Sequence, residues 1–284
     1  MRIVVTGATG HLGRLVVEGL LDKVPADRIV AVVRDRQKAA LLAARGVGLH
    51  IADYNAPETF DGLFAAGDRV LLISGSEADK DRVAQHRVVI DAASAAGAAL
   101  LAYTSAPGSL TAALADDHRG TEQVLLASGL PYVLLRNNWY HEVYTAQLAP
   151  VLEHGAVVQA AGAGRVATAS RADYAAAAVA VLTGEGHERR TYELGGDTAW
   201  SFAEYAAELS RQTGKEIVYR PVSTEEYTAV LVGAGLPEFI AAIFAGVDVS
   251  IEKGELAGTE GDLARLIGRP TTPIADAIRA ALEG

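Results

Sequence analysis

A glycine-rich loop near the start of the chain constrains the fold more than any other feature. It follows the short apolar run Ile3–Val5, leads into apolar positions with helical spacing, and consists of Thr6, Gly7, Ala8, Thr9, Gly10, His11, Leu12 and Gly13. A strand, a glycine turn and a helix in this order present free backbone N–H groups and the positive helix end to a pyrophosphate. The loop predicts a dinucleotide site, with a ligand-free tight turn as the alternative.

The overall composition excludes several other classes of protein. The net charge of -10 disfavours a nucleic-acid partner, whose phosphates require a basic surface. The absence of cysteine excludes disulfides and thiolate metal sites and is compatible with a reducing cytoplasm, where we expect the protein. The seven histidines lack short metal-ligand spacing, so no metal is expected. The apolar runs are too short to span a bilayer, so no membrane association is expected.

Short β-like runs alternate with helical stretches through the first half of the chain. The runs predicted as strands after the first are Ile29–Val33, Leu49–Ile51, Arg69–Ile73, Leu100–Thr104 and Pro131–Leu135. This alternation predicts an α/β fold with a doubly wound parallel sheet of the Rossmann type. We predict a dinucleotide domain over residues 1–136, with part of 165–196 returning to it. Residues 137–284 are predicted to form mainly a smaller α/β region that caps the substrate.

One basic residue after the second predicted strand indicates which dinucleotide binds. Arg34 lies about 20 residues beyond the loop, where an acidic residue binds the ribose 2′-hydroxyl of NAD and an arginine binds the 2′-phosphate of NADP. The sequence therefore favours NADPH over NADH, and Lys38 could add to the phosphate site. Asp35 leaves an alternative open, because a strand one residue longer would turn this carboxylate to the ribose and favour NAD.

Several segments together resemble a known family. They are Val5–Gly10, Ala52–Tyr54, Leu72–Ser74, Ala102–Ser105, Leu135–Tyr140, Ser170–Tyr174 and Leu266–Thr272. The chain resembles the NmrA-like atypical short-chain dehydrogenases/reductases, and within them the type 2 NAD(P)H:quinone oxidoreductases. Family members often carry Glu-Asn after the Trp-Tyr pair, whereas this chain has Glu142-Val143, so a valine stands in place of that asparagine.

The resemblance implies a cofactor site that extends well beyond the loop. Arg34 would bind the 2′-phosphate, and Asp53 would lie at the adenine edge unless it only forms a turn. Ser74, Gly75 and Ser76 would line the ribose. Thr104 is also expected at the cofactor and, with Ser105, on the substrate side. The nicotinamide end would be bordered by Asn137, Asn138, Trp139, Tyr140 and Arg171.

The sequence lacks the usual acid catalyst of short-chain dehydrogenases. None of the ten tyrosines has a lysine four residues later, and the family framework places Leu114 and His118 at these two positions. A simple ketone needs proton donation as it is reduced, whereas a quinone accepts hydride readily and spreads the resulting charge. We therefore predict hydride transfer from NADPH to a quinone held between the two domains.

Three residues are the candidates for catalysis. His118 is the candidate proton donor or oxygen ligand, with a partly exposed helical position as its alternative. Asn138 and Tyr140 could hydrogen-bond a quinone oxygen or the cofactor amide. For Tyr140 and Trp139 the alternative is packing in the core or between the domains.

Two other functions stay open at this stage. An NADP-sensing regulator of the NmrA type, which binds a protein partner without turnover, is also compatible with the missing tyrosine and lysine. An isoflavone-reductase-like enzyme is a third alternative, although that group keeps a lysine where this chain has His118. The fold is compatible with a homodimer.

Overall fold

Seven strands form one sheet, and the first of them precedes the glycine-rich loop. The computed structural model describes residues 1–75, 81–111 and 113–283. In order across the sheet the strands are β3 (Gly48–Ile51), β2 (Ile29–Val33), β1 (Ile3–Val5), β4 (Arg69–Leu72), β5 (Leu100–Ser105), β6 (Tyr132–Asn137) and β9 (Arg190–Leu194). Strands β1 to β6 pair in parallel. The predicted doubly wound parallel sheet is confirmed.

The strand order places the glycine-rich loop at the point where ligands bind in such sheets. The chain proceeds outward from β1 through β2 to β3, then returns to the other side of β1 for β4. The carboxyl ends of β1 and β4 therefore flank a topological switch point, which is where ligands bind in sheets of this type. The loop of residues 6–13 begins at this end of β1.

Helices cover the sheet because its central strands β1, β2, β4 and β5 are apolar on both faces. Four described helices begin before residue 130, and a fifth begins at residue 171, where the chain comes back to the sheet. They are α1 (His11–Leu21), α2 (Ala40–Ala44), α3 (Arg82–Ala95), α4 (Leu114–Ala127) and α7 (Arg171–Thr183). One core cluster joins Val4 and Val70 of the sheet to Val89 of α3 and Leu125 of α4. Helices α1 and α7 pack closely together, and a Cβ at Gly19 would lie 3.1 Å from Val179.

The chain divides into two compact units. The first contains Met1–Ala106, Asp117–Asn137 and Arg171–Tyr192, and the second contains Pro107–Asp116, Asn138–Ser170 and Glu193–Gly284. Each unit is therefore assembled from segments that are distant in sequence.

The second unit combines short strands with seven described helices. Strands β7 (Ala156–Gln159) and β11 (Val218–Pro221) pair in parallel, and β8 (Arg165–Val166) and β10 (Trp200–Ser201) pair antiparallel. The helices are α5 (His141–Thr145), α6 (Leu148–His154), α8 (Phe202–Thr213), α9 (Thr224–Gly233), α10 (Glu238–Glu252), α11 (Asp262–Ile267) and α12 (Ile274–Glu283). Within the described part of the chain, no helix has the length and apolar character needed to cross a membrane.

Candidate active site

The backbone of the glycine-rich loop has the shape that a pyrophosphate requires. Gly7 has a φ of 60°, a left-handed conformation that glycine adopts without strain, and its carbonyl accepts the N–H of Gly10 at 2.9 Å. A Cβ at Gly13 would lie 2.8 Å from the Cα of Ala8. Among the described residues, no side chain caps the N-terminus of α1. The first N–H groups of this helix therefore suit an anion, and the loop fits the phosphates of a dinucleotide.

The segment after β4, here called the β4 loop (Ile73–Gly75), is held by three side chains. Its first backbone N–H donates to Thr6 Oγ1 at 3.1 Å, its second to Thr104 Oγ1 at 2.9 Å, and its third to His86 Nε2 at 3.0 Å. The structure thus brings two residues expected at the cofactor, Thr6 and Thr104, into contact with the loop expected at the ribose. Ser76 lies outside the described residues.

The end of β2 fixes the order of the residues expected near the 2′-phosphate. The strand ends at Val33, and the exposed Arg34 follows directly. The carboxylate of Asp35 accepts the backbone N–H of Gln37 at 2.8 Å, so it stabilises the local turn. Lys38, four residues after Arg34, is also exposed. This arrangement favours Arg34 over Asp35 as the residue that meets the cofactor.

Asp53 lies in a tight turn after β3. Its Oδ1 accepts the backbone N–H of Asn55 at 2.9 Å and the side-chain amide of the same residue at 3.0 Å. The neighbouring Tyr54 donates its hydroxyl proton to Thr6 Oγ1 at 2.7 Å, and burial raises its pKa to about 12. Tyr54 therefore supports the start of the glycine-rich loop as a neutral phenol.

His118 is a buried residue of α4. Its side chain is 9% exposed, and its Nδ1 lies 2.9 Å from the hydroxyl of Tyr103. Burial, with a further contribution from Arg82, lowers the pKa of His118 to about 4. The imidazole is therefore neutral at neutral pH and suits a hydrogen-bond partner better than a source of protons.

Ser105, expected with Thr104 on the substrate side, contacts the ion pair of Glu122 and Arg136. The Ser105 hydroxyl donates to Glu122 at 2.6 Å, and the Arg136 guanidinium donates to the same carboxylate at 2.9 and 2.7 Å. The paired geometry joins α4 to β5 and β6. The Glu122 carboxylate is also paired with the Arg136 guanidinium, so the arrangement positions these three elements.

The segment Asn137–Tyr140 begins at the end of β6. The Oδ1 atom of Asn137 is buried and has no hydrogen-bond partner among the described residues. An orphaned acceptor of this kind suits an amide N–H such as that of a nicotinamide. Asn138 behaves differently, because its amide donates to Leu256 O at 3.0 Å and accepts the N–H of Trp139 at 2.7 Å. Its contacts within the second unit fix the turn that presents the two aromatic residues.

The two units hold different parts of the residue set expected from the sequence. In the second unit, the half-buried Trp139 meets the ring of Phe244 edge-on at 6.5 Å, and Tyr140 forms a β-bridge with Ala169. Arg171 is the first residue of α7 and belongs to the first unit. The first unit also holds the loop of residues 6–13, the β4 loop, Arg34, Lys38, Asp53, Thr104, His118 and Asn137.

Two residues that support this site were not identified from the sequence. Tyr54 reaches Thr6 across 48 positions of the chain, and His86 reaches the β4 loop from helix α3. Although Tyr54 lies in the segment Ala52–Tyr54, no local pattern indicates these two contacts, because the hydrogen bonds follow from how the helix and the turn pack on the sheet. Only a tertiary structure reveals such partners.

Comparisons with known proteins agree with this geometry. The family model described as NAD(P)H-binding matches residues 7–185. Quinone oxidoreductase 2 of Escherichia coli (strain K12) is 46% identical over 97% of both chains. The crystal structure of the Escherichia coli NADPH-dependent quinone oxidoreductase with NADPH shares 45% identity over 99% of both chains, with a TM-score of 0.95.

A second solved structure extends the likeness to another enzyme. The Citrobacter sp. triphenylmethane reductase complexed with NADP(H) is 42% identical, with a TM-score of 0.93 over 98% of this chain and 99% of that one. The resemblance to the type 2 quinone oxidoreductases is therefore confirmed. The chain belongs to the NAD(P)H-binding family.

Proposed function

We propose that this protein is an NADPH-dependent quinone reductase. The observation that carries the proposal is the 46% identity to quinone oxidoreductase 2 over 97% of both chains. The full-length likeness to an NADPH-bound quinone oxidoreductase supports the same cofactor. This relative and the 42% identical triphenylmethane reductase are both named as enzymes, which favours catalysis over the alternative of an NADP-sensing regulator.

Residues of the first unit account for binding of the cofactor. The loop Thr6–Gly13 would hold the pyrophosphate through its backbone N–H groups, and Arg34 would pair with the 2′-phosphate, with Lys38 nearby. The β4 loop with Thr104 would contact the ribose. Asn137 would accept a hydrogen bond from the carboxamide through its orphaned Oδ1. We also propose that Asp53 and Arg171 border the cofactor.

Residues of the second unit are proposed to act on the acceptor. When bound, NADPH supplies a hydride to the quinone ring. Tyr140 would donate a hydrogen bond to a quinone oxygen, while Asn138 orients this residue and Trp139 through the turn it fixes. From the first unit, His118 would contribute a hydrogen bond to the acceptor in its neutral form. Since no strong acid is required for a quinone, positioning of the ring provides most of the catalysis.

A steady-state assay tests this function. Purified protein should oxidise NADPH in the presence of benzoquinones and naphthoquinones, with a higher kcat/KM for NADPH than for NADH. Triphenylmethane dyes should be tested as a second class of acceptor, because a 42% identical relative is named a triphenylmethane reductase. Tyr140→Phe should lower kcat/KM for the quinone and leave the Kd of NADPH unchanged. Cofactor binding without turnover of any acceptor would replace the proposal by that of a regulator.

Two finer points of the biology are also proposals. We place the protein in the cytoplasm, because NADPH is available there and a chain without cysteine needs no disulfide and is compatible with a reducing compartment. We further propose a homodimer, which native mass spectrometry would reveal as a species of twice the chain mass. A monomer at micromolar concentration would contradict it.

A further inference from the structure

The β4 loop is the part of the cofactor site that is held almost entirely by side chains. Its three consecutive N–H groups leave the strand ladder and donate to residues from three elements: Thr6 after β1, Thr104 on β5 and His86 on α3. A threonine hydroxyl accepts a hydrogen bond in any protonation state of the protein. An imidazole nitrogen accepts one only when it carries no proton. Of the three hydrogen bonds, the one to His86 therefore depends on the protonation state of its acceptor.

The hydrogen bonds of His86 determine which nitrogen carries the proton. The N–H of Gly75 can only donate, so Nε2 of His86 is unprotonated. Nδ1 then carries the proton and donates it to Thr121 Oγ1 at 2.9 Å. The Thr121 hydroxyl in turn donates to the carbonyl of Asp117 at 2.9 Å. Every donor in this series has an acceptor only if His86 is neutral and in the Nδ1–H tautomer.

The surroundings of His86 stabilise this neutral form. The ring is fully buried and meets Tyr54 edge-on at 6.1 Å and Tyr103 at 5.4 Å. Arg82 lies on the same helix and His118 on α4. Burial, followed by repulsion from His118 and Arg82, lowers the pKa of His86 to about 3. The acceptor for the β4 loop is therefore present throughout the neutral pH range.

We propose that His86 is a positioning residue for the cofactor, and that Thr121 fixes it in the tautomer that holds the third N–H of the β4 loop. The pair orders the loop before the cofactor arrives, so less conformational entropy is lost on binding. The inference rests on the proposed cofactor site of the first unit and does not depend on which acceptor is reduced.

Binding measurements on paired variants test the proposal. His86→Phe removes the acceptor and should raise the Kd of NADPH about tenfold. His86→Gln retains an acceptor and a donor at the end of its side chain and should stay within about twofold of the wild type. Thr121→Val should weaken binding like His86→Phe, whereas Thr121→Ser should not. Titrations by fluorescence need no turnover, so a failure of quinone reduction would leave this test intact.

A spectroscopic measurement decides the point even if His86→Phe does not fold. Long-range ¹H–¹⁵N spectra of the wild-type protein should show His86 with protonated Nδ1 and unprotonated Nε2. In Thr121→Val the proton should shift toward Nε2, because its acceptor is gone. An Nε2–H tautomer in the wild type, or equal NADPH affinity of the His86→Phe and His86→Gln variants, would overturn the proposal.

Discussion

Arg34 is the residue that we propose selects NADPH over NADH. It is exposed immediately after β2, while the carboxylate beside it is engaged in a turn. We expect Arg34→Ala to raise the Kd of NADPH at least tenfold, because hydrogen bonds to a charged group contribute roughly 1.5–3 kcal/mol. The Kd of NADH, which lacks the 2′-phosphate, should hardly change. Isothermal titration with both cofactors measures the two values.

A second arginine in the same exposed stretch provides the control. Arg36→Ala removes the same charge two residues away, so it reports the general electrostatic effect on an anionic ligand. An equal loss of NADPH affinity in the two variants would contradict a specific 2′-phosphate contact by Arg34.

The buried state of His118 predicts the pH dependence of turnover. Since burial lowers its pKa to about 4, the imidazole stays neutral from pH 6 to pH 8. The kcat for quinone reduction should therefore show no ionisation of His118 in this range, and His118→Gln should keep the shape of the profile. A descending limb near pH 6.5 that disappears in His118→Gln would contradict this interpretation and restore a proton donor.

At the scale of the element, the contact between α1 and the glycine-rich loop leaves no room for a side chain at Gly13. Gly13→Ala would place a Cβ 2.8 Å from the Cα of Ala8, so the helix must move away from the loop. We expect NADPH affinity to fall more than tenfold, because the phosphate-binding N–H groups move with the helix. Titration of NADPH and urea unfolding measure the two consequences.

The matched control for this change is a glycine in another helix. Gly246 lies in α10, and a Cβ added there would meet no atom within 4 Å. Gly246→Ala should raise the free energy of unfolding by up to about 1 kcal/mol, through the better helix propensity of alanine, and leave NADPH affinity unchanged. Equal loss of affinity in both variants would contradict the steric argument.

Strands and helices whose apolar residues follow a clear pattern were predictable from the sequence, and others were not. The run Ile29–Val33 was predicted as a strand and is one, because its apolar residues need burial on both sides. The boundary between α5 and α6 is not visible in the sequence pattern, although one helix ends at Thr145 and the next begins at Leu148. Helix α10 shows no clear helical period in its sequence, because apolar residues surround it and its Asp248 is buried.

The candidate site likewise has one part that the sequence predicts and one part that it does not. The glycine-rich loop was predictable because its chemistry is contiguous in sequence, with strand, turn and helix in immediate succession. The support for Gly75 was not, since an imidazole on α3 reaches it only after the helix packs on the sheet. The neutral state of His118 likewise depends on burial, which a sequence does not report for a polar helix face.

For the whole molecule, buried ionisable groups in the two units respond to acid in opposite directions. His86 and His118 have pKa values lowered to about 3 and about 4, so the unfolded chain binds two protons that the folded chain excludes between pH 6.5 and pH 4. In the second unit, Asp248 is 3% exposed, and burial raises its pKa to about 7. The folded chain therefore binds one proton that the unfolded chain lacks over the same range.

These three groups contribute to the slope of stability against pH. One proton of difference changes the free energy of unfolding by about 1.4 kcal/mol per pH unit. The histidines make stability fall as pH decreases from 6.5 to 4, and Asp248 makes it rise, so their net effect is a loss of about 1.4 kcal/mol per pH unit. Asp248→Asn removes the opposing contribution while its amide oxygen can still accept the N–H of Ala160, which donates to Asp248 at 2.6 Å.

The Asp248→Asn variant should therefore lose stability about twice as steeply as the wild type when the pH falls from 6.5 to 4. Above pH 7 the wild type carries an ionised, buried carboxylate, so the variant should be the more stable of the two at pH 8. Urea unfolding at half-unit pH intervals measures both slopes. Parallel curves for the two proteins would show that Asp248 ionises in the folded chain at its ordinary pKa, because only a carboxylate with a raised pKa makes the slopes differ.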